Sequence, residues 1–136
     1  MQGYKPGLLI NLFGITREQL RYWRRELDPV PTRPLFSYQM LLGYAVIREL
    51  IVGRWIEPRR LKGVDLKAFF GWFEDQHSDH ELKRTVITIN TYNNSLNFLS
   101  LDDFQRHELA SEVNIVAIYL KTIEEQLLSR FKEVGT

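Results

Sequence analysis

Residues 16–26, TREQLRYWRRE, constrain the fold more than any other stretch, because they fix a helix, its start and the side it must bury. Thr16 followed three residues later by Gln19 is a capping box, in which each side chain satisfies an amide left open by the first turn. A helix therefore begins at Thr16. Ile15, Leu20, Trp23 and Leu27, spaced five, three and four apart, fall near one face of that helix and pack inward. Arg17, Arg21 and Arg24, at i, i+4 and i+7, line another face, with Tyr22 and Arg25 beside them. Glu18 and Glu26 are the only acids in the stretch. An arginine stripe on a capped helix suits a polyanion that offers phosphate oxygens and guanine edges. The expected partner is double-stranded DNA.

The flanking residues extend this reading. Residues 6–11, with Leu8, Leu9 and Leu12 as apolar positions, predict a short first helix opened by Pro6, and Phe13-Gly14-Ile15 turns the chain into the arginine helix. Helix, glycine turn and capped basic helix is the order of a helix-turn-helix, whose second helix lies in the major groove. Pro29, Pro31 and Pro34 forbid a helix up to Leu35, leaving a loop or edge strand around Arg33 with the composition of a short wing. Ser37 caps a third helix running to about Val52, with Met40, Leu41, Tyr44, Ile47 and Ile51 inward, and Gly53 ends it. Glu57-Pro58 opens a fourth helix to about Phe73. Its exposed side carries Arg59, Arg60, Lys62 and Lys67, either reaching the DNA backbone or forming a solvated face.

Charge divides the chain of 136 residues. Up to Phe73 there are 12 Lys and Arg against 6 Asp and Glu, net +6, whereas the rest carries 6 against 11, net −5. A basic amino-terminal module suits nucleic acid and an acidic carboxy-terminal one suits solubility or a protein partner. Residues 76–81, QHSDHE, read as the linker between them. RTVITIN and SLNFLSL flank the Asn-rich residues 91–94 and predict a β-hairpin over about 83–101. A last helix is expected from Asp103 or Leu109 to Glu133. Leu109, Val113, Val116, Leu120, Ile123, Leu127, Arg130 and Val134 alternate steps of four and three along it, a heptad seam broken only by Arg130. Because residues 113–120 are apolar nearly all round, a second copy packing on Val113, Val116, Leu120, Ile123 and Leu127 is the economical way to cover them. A core helix within one monomer is the alternative.

Residues 8–73 resemble the winged helix-turn-helix DNA-binding domain of the MerR family. The resemblance rests on GITREQLRYW, residues 14–23, which is similar to that family's glycine, aliphatic residue, threonine or serine, then Leu-Arg-Tyr and an aromatic. It implies that Thr16 starts the recognition helix, that Arg21 and Tyr22 face the DNA backbone, that Arg17 reads a base, and that Arg33 serves as the wing's cation. It also implies that Tyr38 starts the following helix. The chain lacks the family's Gly-Leu-Leu ending and Gly-Tyr-Arg wing, substituting a proline-rich segment, and its hairpin is outside the common pattern. The resemblance is thus to a divergent member, and it implies transcription regulation as a homodimer, with RNA polymerase or an unidentified effector open as further partners.

The expected fold is mainly α: a winged helix-turn-helix domain over 1–75, then a β-hairpin and a long C-terminal dimerisation helix over 76–136. Thr16, Arg17, Arg21, Tyr22, Arg24, Arg25, Arg33, Arg59 and Arg60 are the expected DNA contacts. An architectural or phage-type DNA-binding role on the same fold is the alternative to regulation. Zero cysteines exclude disulfides and thiolate zinc sites. No stretch approaches the roughly 20 apolar residues of a membrane span, so a cytoplasmic, membrane-free protein is expected. His77-Ser78-Asp79-His80-Glu81 alone hints at a metal, but without a second cluster it reads as a solvated segment, and neither catalysis nor a cofactor is expected.

Overall fold

The structure, a computed structural model, describes residues 3–29, 31–75, 77–107 and 114–135. It is mainly helical, with a small three-stranded antiparallel sheet and a C-terminal helix. α1 (Leu8–Phe13) ends at Gly14, whose φ of 64° is the left-handed conformation that favours glycine. α2 (Arg17–Glu26) opens on the anticipated capping box: Gln19 N–H donates to Thr16 Oγ1 at 3.0 Å and Thr16 N–H to Gln19 Oε1 at 2.8 Å. Ile15, Leu20, Trp23 and Leu27 are all buried beneath it.

α3 (Tyr38–Arg48) starts at Ser37, whose hydroxyl accepts from Met40 N–H at 3.2 Å, and continues into a π-helical turn over Glu49–Gly53. It is the central helix, buried continuously from Met40 to Ile47, because α1, α5 and α8 pack around it. Gly43 lets Phe70 come close: a Cβ there would lie 2.8 Å from its ring. The single helix expected over 57–73 forms as two, α4 (Pro58–Leu61) and α5 (Leu66–Glu74). Asp65 causes the break by capping the second, accepting from Ala68 N–H at 3.0 Å, while Val64 turns inward. The expected linker likewise contains α6 (Asp79–Lys83), started by Ser78, which accepts from Glu81 N–H at 3.1 Å.

The hairpin forms where expected, from β1 (Thr85–Asn90) and β2 (Leu96–Ser100), with Thr85 opposite Ser100 and Ile89 opposite Leu96. Its turn places Asn94 at a φ of 59°, which asparagine tolerates better than most residues. Past α7 (Leu101–Arg106) the structure departs from expectation. The continuous helix does not form; β3 (Ile115–Tyr119) pairs antiparallel with β1, and only then does α8 (Leu120–Gly135) begin. The apolar run is a strand because Ile115, Val116 and Ile118 are β-branched and β1 offers them an open edge. Val116 lies opposite Ile89; Leu109 and Val113 fall outside the described residues.

The seam is corrected with it. Leu120, Ile123 and Leu127 are 0%, 3% and 1% exposed in the single chain, covered as α8 packs against α1, α3 and α6, so this stripe is core rather than a surface for a second copy. Arg130, which broke the heptad, donates to the Leu12 carbonyl at 3.0 Å, and Arg48 to the Phe13 carbonyl at 3.0 Å. Both guanidiniums thus satisfy the open end of α1. One hydrophobic cluster runs from Leu9 to Leu127, so residues on both sides of position 75 share a core. Among the described residues no helix is long and apolar enough to cross a membrane.

Candidate nucleic-acid interface

The burial of Leu20 and Trp23 fixes the rotation of α2 and thereby sorts its arginines. Arg17, Arg21 and Arg25 are exposed, and Arg17 and Arg21 have no ion pair or hydrogen bond among the described residues. Together with Arg24 these three line an open groove of about 670 Å³, lined also by Pro6, Gly7, Ile10 and Asn11 at the start of the chain and by Pro31 of the proline-rich segment. Arg25 pairs with Glu26 at 3.0 Å and lies 5.7 Å from the centre of the Tyr22 ring. Lys62 also reaches Glu26, at 3.0 Å. Hydrogen bonds from Lys62 and then Arg25 hold the Glu26 carboxyl below its usual range. The one acid at the C-terminal end of α2 is therefore compensated twice.

Arg24 is spent on architecture. Its guanidinium donates to the Arg33 carbonyl and stands 5.3 Å from the centre of the Phe36 ring, while its buried Nε has no partner among the described residues. Arg33 in turn donates to Glu74 at 2.6 Å, tying the proline-rich loop to α5. Beneath them the Tyr44 hydroxyl donates to buried Asp28 at 2.5 Å, and burial, reinforced by that carboxylate, pushes the phenol well above its ordinary range. This ladder of contacts clamps the end of α2 to α3 and to the loop. Arg60 donates to the Thr91 carbonyl, joining α4 to the hairpin turn, and exposed Arg59 pairs with Glu57 at 2.6 Å. Tyr38 opens α3 as the resemblance implies, its hydroxyl reaching Glu124 on α8 at 3.3 Å.

Of the nine expected contacts, the structure gathers Arg17, Arg21, Arg24 and Arg25 around one groove. Thr16, Tyr22 and Arg59 lie on the opposite flank of α2, along a second cleft of about 690 Å³ shared with Glu18, Gln19, Ile51, Glu57 and Pro58. Arg33 and Arg60 line neither. The pairing of Lys62 with Glu26 and the Asp28–Tyr44 hydrogen bond were not legible, since the partners lie on different elements. His77 packs face to face on Trp72, ring centres 3.9 Å apart, with Nε2 2.7 Å from the Trp72 carbonyl oxygen; no group of three metal-binding side chains forms among the described residues.

The capping role of Thr16 is testable separately from any ligand. Thr16→Ala should cost about 1 kcal/mol in denaturant unfolding through loss of the cap, whereas Thr16→Ser should be nearly neutral. Equal losses for the two variants would show that the methyl group matters more than the hydroxyl.

Comparisons with protein-family models, with curated proteins and with solved structures give no match.

Proposed function

We propose that this chain binds double-stranded DNA through α2, as a divergent relative of the MerR-type winged helix-turn-helix proteins. In this reading α1, the Gly14 turn and α2 make the helix-turn-helix, and the loop from Asp28 to Ser37 acts as a short wing braced by Arg24 and Arg33. The observation that carries it is the pair Arg17 and Arg21, exposed and without an ion pair or hydrogen bond among the described residues, on the outward side of a helix whose inward side is locked into the core. The dimensions of α2 match those of its target, since ten residues make a rod about 15 Å long and 10–12 Å across, and the major groove is about 12 Å wide. Arg17 is the base reader and Arg21 the phosphate contact in this assignment. Regulation of transcription is the use the resemblance suggests. A two-fold arrangement on an inverted repeat would have to use a surface other than the α8 stripe.

Selection of duplexes from a random pool, followed by salt titration of the winning sequence, tests the proposal. Affinity should fall steeply with salt, with a log–log slope near −0.9 for each phosphate neutralised. Failure to enrich any duplex, together with a flat salt response, would refute DNA binding by this surface.

A further inference from the structure

Trp55 is the most exposed large apolar side chain among the described residues, at 88%, and it sits at a φ of 59°, a conformation that costs a bulky residue of order 1–3 kcal/mol. The loop around it is firmly held. Arg54 N–H donates to the Glu49 carbonyl and Ile56 N–H to the Leu50 carbonyl, each at 2.9 Å, and the Ile56 side chain is buried. Gly53 lets the Glu49 side chain cross beneath, since a Cβ there would lie 2.5 Å from its carboxylate, and that carboxylate pairs with Arg54 at 3.4 Å. A π-helical turn, two anchored amides and a left-handed residue thus combine to hold one indole away from the protein.

What the indole meets follows from its surroundings. Arg54 precedes it, and Glu57, Pro58 and Arg59 just after it wall the cleft whose other side is Thr16, Gln19 and Tyr22 of α2. Side chains of Arg54 and Arg59 are 43% and 80% exposed, and their partners are exposed or half-buried carboxylates that hold them only weakly. An exposed aromatic ring with a movable cation one residue before it and another four residues after it, on the segment that leads into the wall of that cleft, is the chemistry that stacks on a nucleic-acid base while phosphates are neutralised on either side. From this placement we propose that Trp55 is a wedge that stacks between two base pairs beside the stretch gripped by α2. It would thereby select flexible pyrimidine–purine steps at that flank. The proposal rests on the duplex-binding reading above and adds a residue and a sequence preference to it.

The test uses the full chain and the duplex recovered by selection, with its flanking steps varied between TA and a stiff A-tract. Trp55→Ala should weaken binding about tenfold and abolish the preference for TA, while Trp55→Phe should retain part of both. Its thermal midpoint should not fall, because no buried contact is removed. In wild type, the indole emission isolated by subtracting the Trp55→Phe spectrum should be quenched on binding; the remaining signal comes from Trp23, which is buried, and Trp72, which is stacked on Phe98. Unchanged affinity, unchanged flank preference and unquenched emission, with wild type still binding duplex, overturn the wedge and leave α2 as the reader. Quenching by single strands alone overturns it equally. A wild-type chain that binds no duplex overturns both proposals together.

Discussion

Replacing Arg17 and Arg21 together by alanine should weaken duplex binding by about a hundredfold or more at moderate salt and reduce the magnitude of the log–log salt slope by about 1–2. The size follows from the roles assigned. A bidentate arginine on a base edge is worth about 1–3 kcal/mol of discrimination, and a lost phosphate contact adds a further loss common to all sequences. Folding should be untouched, since both side chains are exposed with no partner among the described residues and alanine is the better helix former. The single substitutions separate the roles. Arg17→Lys keeps the charge but loses the planar fork, so it should lower discrimination more than overall affinity. Arg21→Ala should weaken cognate and random duplexes alike. Arg24→Ala belongs to a different class: it removes the tie to the Arg33 carbonyl and the contact with Phe36, so a loss of binding there would be accompanied by a lower thermal midpoint. If the double variant keeps full affinity and an unchanged salt slope, α2 is not the DNA-contacting surface.

Which parts of this architecture were legible in the sequence follows from the range of the interactions that fix them. Thr16 and Gln19 are three residues apart, so the start of α2 needed only its own neighbours, and the buried set Ile15, Leu20, Trp23 and Leu27 followed from its period. The hairpin was legible for the same reason: β-branched runs flank an Asn-rich turn. β3 was not. An apolar run is compatible with a buried helix or a strand, and the partner that decides is remote: Tyr119 pairs with Val86. Steps of three and four that are real within α8 extended by coincidence through Val116. Ser78 and Glu81 did carry a local start signal for α6, masked by the polar composition around them.

The arginines show the same division inside the candidate site. Their spacing placed Arg17, Arg21 and Arg24 on one stripe, but it could not show that Phe36 and the Arg33 carbonyl would draw Arg24 inward. Arg33 and Arg60 read as surface cations until Glu74, 41 residues away, and the Thr91 carbonyl, 31 away, supplied their partners. Trp55 gave only the signal of an aromatic after Gly53-Arg54. Its display depends on how the π-helical turn ends and on Ile56 anchoring the return of the chain.

Leu120→Glu separates a dimer seam from a core stripe through a large expected loss of stability. Were Leu120 part of a seam, a carboxylate there would split the assembly and leave a folded protomer of half the mass. In the structure the side chain is 0% exposed, at the junction where β3 passes into α8. Truncating such a leucine costs about 2–5 kcal/mol, and burying an unpaired carboxylate adds several more. Against a typical total of about 5–15 kcal/mol, the variant should be largely unfolded, with loss of cooperative thermal unfolding and of far-ultraviolet helical signal. Leu128→Glu is the control, because Leu128 is 47% exposed on the outer side of the same helix and its replacement should change stability by about 0.5 kcal/mol or less. A Leu120→Glu chain that remains folded at reduced mass would restore the seam. An unfolded Leu120→Glu beside a native Leu128→Glu places α8 in the core, where it buttresses α1 and α3 and so holds the base on which α2 presents Arg17 and Arg21.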